Sequence, residues 1–437
     1  MPRDLIDRRP VEEVAAVVLP VIGSTDVARS RLEESQGLAE ALGVKLAFAE
    51  RMNVREPHPA RLFGSGQVDT LNKRMHEDGV TLLIVDGALT PVQQRNLETE
   101  LKLKVVDRTG LILEIFGLRA RTAEGRLQVE MARSLYERSR LVRTWTHLER
   151  QRGGFGFLGG PGESQLETDR RLLDKRIAGF RRELEDVRRT RRLQREGRAR
   201  RGAPVAAIVG YTNAGKSTLF NRLTSSDVLA ADMPFATLDP TAREIVAASG
   251  RRIALVDTVG FITDLPTTLV AAFRATLEEA MEADLLIHVR DIAHLDTEYQ
   301  AQDVYTILEQ LSEQIKVEQP PMLEVWNKAD ALDDATRSVL ASRAAAHNPP
   351  ALMVSALTGQ GTDELLFAIE AALFRNRRPR TVTIPAADGR LHAWLHNNCE
   401  VASEMLSGDS DIKLEVFMTD DDVARLRAMS PEVSVRE

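Results

Sequence analysis

Between Gly210 and Ser217 the chain reads GYTNAGKS, and residues of these types at this spacing bind phosphate. Small residues at Gly210, Ala214 and Gly215 let successive backbone N–H groups, from Tyr211 through Thr212 and Asn213 onward, curl around an anion. Lys216 then brings a cation to the β and γ oxygens, and the Ser217 hydroxyl is a ligand for Mg²⁺. An apolar run, VAAIVG, precedes the loop, and the helix-forming TLFNRLT from Thr218 follows it, so the positive end of a helix is expected to face the anion. An ordinary glycine turn is the alternative, and eight fitting positions in this context disfavour it.

Three further segments extend the pattern, each after a predicted strand. In Asp257-Thr258-Val259-Gly260 the carboxylate is expected near the metal and the Gly260 N–H near a γ-phosphate. In Asn327-Lys328-Ala329-Asp330 the Asp330 carboxylate can accept hydrogen bonds from N1–H and the exocyclic amine of guanine. Adenine has neither donor there, and leaving a buried carboxylate unpaired is costly. Ser355-Ala356-Leu357 can offer backbone N–H to the guanine O6. Between the first two motifs, Phe235-Ala236-Thr237-Leu238-Asp239 begins FATLDPT, where a threonine completing the Mg²⁺ shell is expected. Thr237 is the first choice and Thr241 the second; a capped turn around Asp239 and Pro240 is the structural alternative.

Together these motifs predict binding and hydrolysis of GTP, with Lys216, Thr237 and Gly260 as the catalytic set and Ser217, Thr237 and Asp257 as metal ligands, directly or through water. A glutamine after the second-motif glycine often positions the attacking water; here that place holds Phe261. Slow intrinsic turnover that rises with a partner is therefore expected.

The elements that must position these residues follow from periodicity. The first hundred residues alternate apolar runs (VAAVVLPVI, KLAFAE, TLLIVDG, KVVD) with helical stretches beginning near Ala28, Ser65 and Pro91, the rhythm of βαβ units. Two long helices, Glu124 to Arg150 and Glu163 to Arg195, flank the glycine-rich GGFGFLGGPG. Strand-like runs then alternate with helices to about Asn376. The predicted architecture is α/β: an N-terminal α/β subdomain (1–107), a helical hairpin (108–200) with a glycine-rich loop (153–162), a P-loop domain with a mixed, mostly parallel sheet (201–376), and a small α+β tail (377–437).

Composition narrows the partners. A hydrophobic fraction of 43% with 28% charged residues is that of a globular chain, and no apolar run approaches the roughly 20 residues of a membrane helix. With no apolar leader at the start, a cytoplasmic monomer without an integral membrane segment is expected, peripheral membrane association being allowed. Cys399 is the lone cysteine, expected to be inert, and no Cys or His cluster with metal-ligand spacing is recognised. From Arg170 to Arg201 there are 14 Arg or Lys against five Asp or Glu, whereas the last 57 residues hold 11 acids against five bases. The cationic run suits RNA phosphates, and Phe155 and Phe157 in the glycine loop suit base contacts. A solvated helix face with i,i+4 pairs to Glu183, Glu185 and Asp186 is the alternative.

The chain resembles the HflX-type GTPases of the Obg-HflX superfamily. The resemblance rests on FGSGQVDTL near Arg61, TPVQQRNLE, VVDRTGLILEIFGLRARTAEGRLQVEMA, GGPGESQLETDRR, FATLDPT and DTVGFITDLP. It implies binding to the large ribosomal subunit, RNA and protein, with splitting or rescue of ribosomes under stress, and no DNA partner. Asn213 is a candidate K⁺ ligand by resemblance to potassium-dependent GTPases, a loop-stabilising amide being the alternative. No phosphate-loop motif precedes Gly210, so no second nucleotide site is predicted. The competing reading is a GTP-dependent RNA- or protein-binding switch with slow hydrolysis and a non-ribosomal target.

Overall fold

The computed structural model describes residues 13–22, 28–151, 161–199, 204–225, 234–235, 241–247, 249–263, 280–375, 378–407, 411–431 and 433–436. These divide into two units. The first holds the described residues through 184 together with 234–235 and 262–263; the second holds the rest.

In the first unit, Val14–Val21 (β1), Lys45–Asn53 (β2), Leu82–Val85 (β3) and Lys104–Asp107 (β4) form a parallel sheet in the order β2-β1-β3-β4. The sequences of β1 (VAAVVLPV) and β3 (LLIV) are apolar nearly throughout and correspondingly buried, as strands covered on both faces must be. Helices Ala28–Leu42 (α1), Ser65–Glu77 (α2) and Pro91–Leu101 (α3) start where their patterns predict. The start of α3 has a local cause: Gln93 N donates to Thr90 Oγ1 at 3.2 Å and Thr90 N to Gln93 Oε1 at 2.9 Å, a capping box ahead of a first-turn proline. Asp107 caps Arg108–Arg119 (α4) by accepting from Gly110 N at 2.8 Å.

Ala123–Gln151 (α5) and Pro161–Ala199 (α6) are the two long helices; 39 residues make α6 about 58 Å long. An ion pair between Arg138 and Asp174 at 3.0 Å joins them. Most of the glycine-rich loop, with Phe155 and Phe157, lies outside the described residues.

Arg108 is buried in the first unit, where it donates to Asp86 Oδ1 at 2.7 Å, to Glu34, and to the Thr263 carbonyl at 2.9 Å. Arg31 Nε and Ser35 Oγ reach Asp86 Oδ2 at 3.1 and 2.6 Å. Burial alone would raise the Asp86 carboxyl, but the adjacent Arg108 and Arg31 outweigh it and hold the group below its ordinary value.

The second unit contains two sheets. Val205–Val209 (β5), Thr241–Val246 (β6), Arg252–Asp257 (β7), Leu285–Asp291 (β8), Met322–Asn327 (β9) and Leu352–Met353 (β10) are ordered β10-β9-β8-β5-β7-β6, parallel except for the β6–β7 pair. Lys216–Thr224 (α7), Thr297–Ile315 (α8), Asp334–Ala346 (α9) and Thr362–Phe374 (α10) accompany it. Its core includes Ile208, Leu219, Phe220, Leu255, Ile287 and Leu365, each without exposed surface, and burying each such apolar side chain contributes roughly 1.5–3 kcal/mol.

Arg378–Pro385 (β11), Glu400–Ser407 (β12), Asp411–Met418 (β13) and Ser434–Arg436 (β14) make an antiparallel sheet ordered β12-β13-β11-β14, backed by Gly389–Asn398 (α11) and Asp420–Met429 (α12). This is the α+β tail, and Cys399 is buried in its core. The Arg251 guanidinium stacks on Phe374 at 4.6 Å and on Phe417 at 4.1 Å, linking the tail to the larger sheet.

Candidate nucleotide site

The loops that follow β5, β7, β9 and β10 all leave the carboxyl ends of parallel strands, the edge where open α/β sheets bind ligands. The first runs from Gly210 to Gly215 and depends on its glycines. Gly210 sits at φ +146°, where a Cβ would lie 2.2 Å from the Val289 carbonyl oxygen, and Gly215 sits at φ +89°, where a Cβ would lie 2.2 Å from Asn327 Nδ2. Asn213 is left-handed as well, at φ 60°, and is exposed. Helix α7 starts at Lys216, directly behind this turn, so its positive end and the loop face the same space.

Lys216 is buried and its Nζ donates to the Tyr211 carbonyl at 2.6 Å. Burial pushes its ammonium down to about 8, against the opposing pull of Asp257. Ser217 Oγ donates to Asp257 Oδ2 at 2.8 Å, so a hydroxyl and a carboxylate converge beside the loop. Hard oxygen donors of this kind suit Mg²⁺, and the pair fits the metal that the sequence implies.

Asp257 to Gly260 packs under the phosphate loop. Thr258 is buried and donates from Oγ1 to the Ile208 carbonyl at 2.6 Å, so its hydroxyl serves the fold and not a ligand. Val259 is buried too. A Cβ on Gly260 would lie 2.9 Å from Lys216 Nζ and from Thr212. Tyr211 and Phe261 form a bridge, and the Phe261 ring is only 1% exposed.

Asn327, at the end of β9, ties three loops together: its Nδ2 donates to the Ala214 carbonyl at 2.8 Å and its Oδ1 accepts from Ala356 N at 2.9 Å. Lys328 pairs with Asp291 at 2.8 Å. Asp330 is exposed, and Ser355 Oγ donates to its Oδ1 at 2.5 Å, while Leu357 is exposed beside them. The carboxylate thus faces outward from a loop braced by Ser355, able to accept hydrogen bonds from a base.

The segment between the first two motifs departs from the sequence reading. Phe235, expected among the nucleotide contacts, is buried in the first unit, its ring edge-on to Phe116 with centroids 4.6 Å apart; its apolar surface is better satisfied there than against phosphate. Ala236, Thr237, Leu238 and Asp239 lie outside the described residues. Thr241 is committed to β6, opposite Asp257.

Three groups escaped the sequence reading. Arg222 on α7 donates to the carbonyls of Ala356 (3.3 Å) and Leu357, bracing the base-side loop; its place about two turns beyond the phosphate loop is the only signal for it. Behind the loop, His288 and Arg290 of β8 bind Glu324 of β9 at 3.2 and 3.1 Å, and Tyr305 joins them. Burial keeps His288 below its ordinary value; burial would raise Glu324, but its bonds from His288 and Trp326 and the charge of Arg290 bring it down to about 2. Finally, the expectation that no His cluster has metal-ligand spacing is wrong. His392 and His396, one turn apart on α11, meet Glu404 of β12, and the i,i+4 spacing within LHAWLH was the signal.

A mixed sheet with a phosphate loop after its central strand, an aspartate at the end of the neighbouring strand and an Asn-Lys-x-Asp loop at the same edge defines a P-loop GTPase. Four family models together match most of the chain: "GTP-binding GTPase N-terminal" over residues 29–117, "GTP-binding GTPase Middle Region" over 119–198, "50S ribosome-binding GTPase" over 205–328 and "HflX C-terminal domain" over 340–431. GTPase HflX of Magnetococcus marinus is 46% identical over 402 residues, 92% of this chain and 91% of that protein. GTPase HflX of Escherichia coli is 41% identical over 416 residues, 95% and 96% of the two chains. Among solved structures, a GTP-binding protein from Sulfolobus solfataricus in complex with GDP is 25% identical, with a TM-score of 0.46 over 83% of this chain and 99% of that one. The chain belongs to the HflX family of GTPases, and the reaction it catalyses is hydrolysis of GTP to GDP and phosphate. No helix among the described residues is long and apolar enough to cross a membrane.

Proposed function

We propose that this GTPase binds the large ribosomal subunit through the segment before residue 200 and couples its nucleotide state to separation of the subunits. The observation that carries the reading is α6: Arg170, Arg171, Lys175, Arg176, Arg181, Arg182 and Arg189 are exposed along one long helix. An extended cationic rod neutralises several RNA phosphates at once and binds in a salt-dependent way. The ribosome-binding description of the family model over the GTPase segment agrees with it.

Within the nucleotide site, Lys216 and the N–H groups from Tyr211 to Thr218 hold the phosphates, and Asp330 reads the guanine edge, supported by Asn327, Ser355 and Ala356. Ser217 and Asp257, with Thr237, would hold Mg²⁺, which when bound supplies charge neutralisation at the β and γ oxygens. Asn213, exposed at the loop, is the residue for K⁺. Phe261 supplies no group to orient water, and activation by a bound partner follows from that.

Turnover of GTP by the full chain, measured with purified large subunits, small subunits and transfer RNA added separately, tests the proposal. Stimulation by the large subunit alone is expected. Flat turnover with all three overturns the ribosomal assignment and leaves a slow GTP-dependent switch with another RNA or protein target, the reading that Phe261 also favours.

A further inference from the structure

We propose that His392, His396 and Glu404 form a divalent-metal site of the zinc class on the C-terminal domain, separate from the nucleotide site. His392 and His396 lie one turn apart on α11, with ring centroids 4.5 Å apart. Glu404, on the edge strand β12, meets both rings: His392 Nε2 is 2.9 Å from Oε1 and His396 Nε2 is 3.1 Å from Oε2. The ligand atoms of all three lie within 4.8 Å of one another, and no other such group occurs among the described residues.

The backbone holds these groups in place. Leu391 and Leu395, each adjacent in sequence to one of the histidines, are buried in the domain core and fix the rotation of α11. Glu404 is paired with Leu414 of β13, which fixes its register. Metal–nitrogen and metal–oxygen bonds of roughly 2.0–2.2 Å place tetrahedral ligand atoms about 3.3 Å apart. The two hydrogen bonds, at 2.9 and 3.1 Å, are within a few tenths of an ångström of that, so the carboxylate already stands at close to ligand spacing from each ring. Two neutral imidazoles and one carboxylate are the ligand chemistry of zinc and its neighbours, whereas Mg²⁺ and Ca²⁺ prefer all-oxygen sets. All three side chains are about two-fifths exposed, leaving a fourth position open to water or to a ligand from a partner. A bound ion would tie α11 to the edge strand of the tail sheet.

Titration of the full chain with Zn²⁺, with Mg²⁺ and GDP kept present to saturate the nucleotide site, tests the site by calorimetry. One ion per chain with a dissociation constant in the micromolar range or tighter is expected. His392→Asn with His396→Asn should weaken binding at least tenfold, Glu404→Gln less, and Cys399→Ser not at all, while GTP turnover stays unchanged in all of them. Identical affinity and stoichiometry in the double variant, or no saturable binding by the unaltered chain, overturns the proposal. Co²⁺ added to the unaltered chain gives a reading that needs no variant: a tetrahedral visible absorption displaced by Zn²⁺ supports the site, and a spectrum identical to aqueous Co²⁺ refutes it.

Discussion

Phe261 and Thr212 are joined backbone to backbone: the Thr212 N–H donates to the Phe261 carbonyl at 2.7 Å, and the Phe261 N–H in turn donates to the Gly210 carbonyl at 3.1 Å. The residue that follows Gly260 therefore staples the phosphate loop, and its ring points into the core. Buried in this way, the side chain presents almost no surface to solvent.

Phe261→Gln is accordingly expected not to accelerate intrinsic GTP hydrolysis, although it restores the residue type that positions water elsewhere. The amide would be buried in an apolar pocket, costing about 2–4 kcal/mol of stability. Single-turnover hydrolysis and urea unfolding, run on the same preparation, check both halves. Faster turnover in the variant would show that the side chain does reach the phosphate.

Lys216 leads to a proton-linked affinity. Burial pushes its ammonium down to about 8, and an anionic phosphate favours the charged form. Above that pH nucleotide binding must take up a proton, so affinity falls as pH rises through the folded value and is unaffected well below it. Uptake of about half a proton per GDP at pH 8 is expected, measurable by calorimetry in buffers of different ionisation enthalpy. Binding heats independent of buffer at pH 8 would contradict this.

The local parts of this molecule were readable from sequence and the long-range parts were not. GYTNAGKS is contiguous, and its glycines meet constraints set within a few residues, at Gly210 and Gly215, so type and spacing sufficed. The start of α3 at Pro91 was equally legible, because Thr90 and Gln93 satisfy each other. Phe235 was misread because its environment is Phe116, 119 residues earlier in the chain, and no local pattern announces that pairing. Arg222 and the Glu324 network depend on which strands become neighbours. The His392 and His396 spacing was visible, but its meaning depends on Glu404 crossing from α11 to β12.

Arg108 is expected to be a keystone of the first unit. Its guanidinium serves Asp86, Glu34 and the Thr263 carbonyl together, so Arg108→Met leaves buried acceptors and a buried carboxylate without their main donor. A loss of about 3–5 kcal/mol is expected, and adding Asp86→Asn should return part of it. The lowered Asp86 carboxyl contributes stability that is present above its unfolded value near about 4 and is lost as pH falls through the lower folded value. Urea unfolding of the unaltered chain should therefore weaken below that range, and less so in the double variant. Arg108→Met within 1 kcal/mol of the unaltered chain would refute the keystone role, a threshold well below the cost of orphaning a buried charge, about 3 kcal/mol or more.

Asp330 is braced through Ser355 Oγ at 2.5 Å, which orients the carboxylate and leaves it acceptor capacity for two base donors. Asp330→Asn keeps one acceptor oxygen for the guanine N1–H but puts an N–H donor against the exocyclic amine, where donor then faces donor. Xanthine carries an oxygen where guanine carries the amine, so the same amide can pair with it. Affinity for GDP should fall at least about a hundredfold while affinity for xanthosine diphosphate rises. Competition between the two nucleotides for a fluorescent analogue measures the switch directly, and retained guanine selectivity in the variant would mean that another residue reads the base.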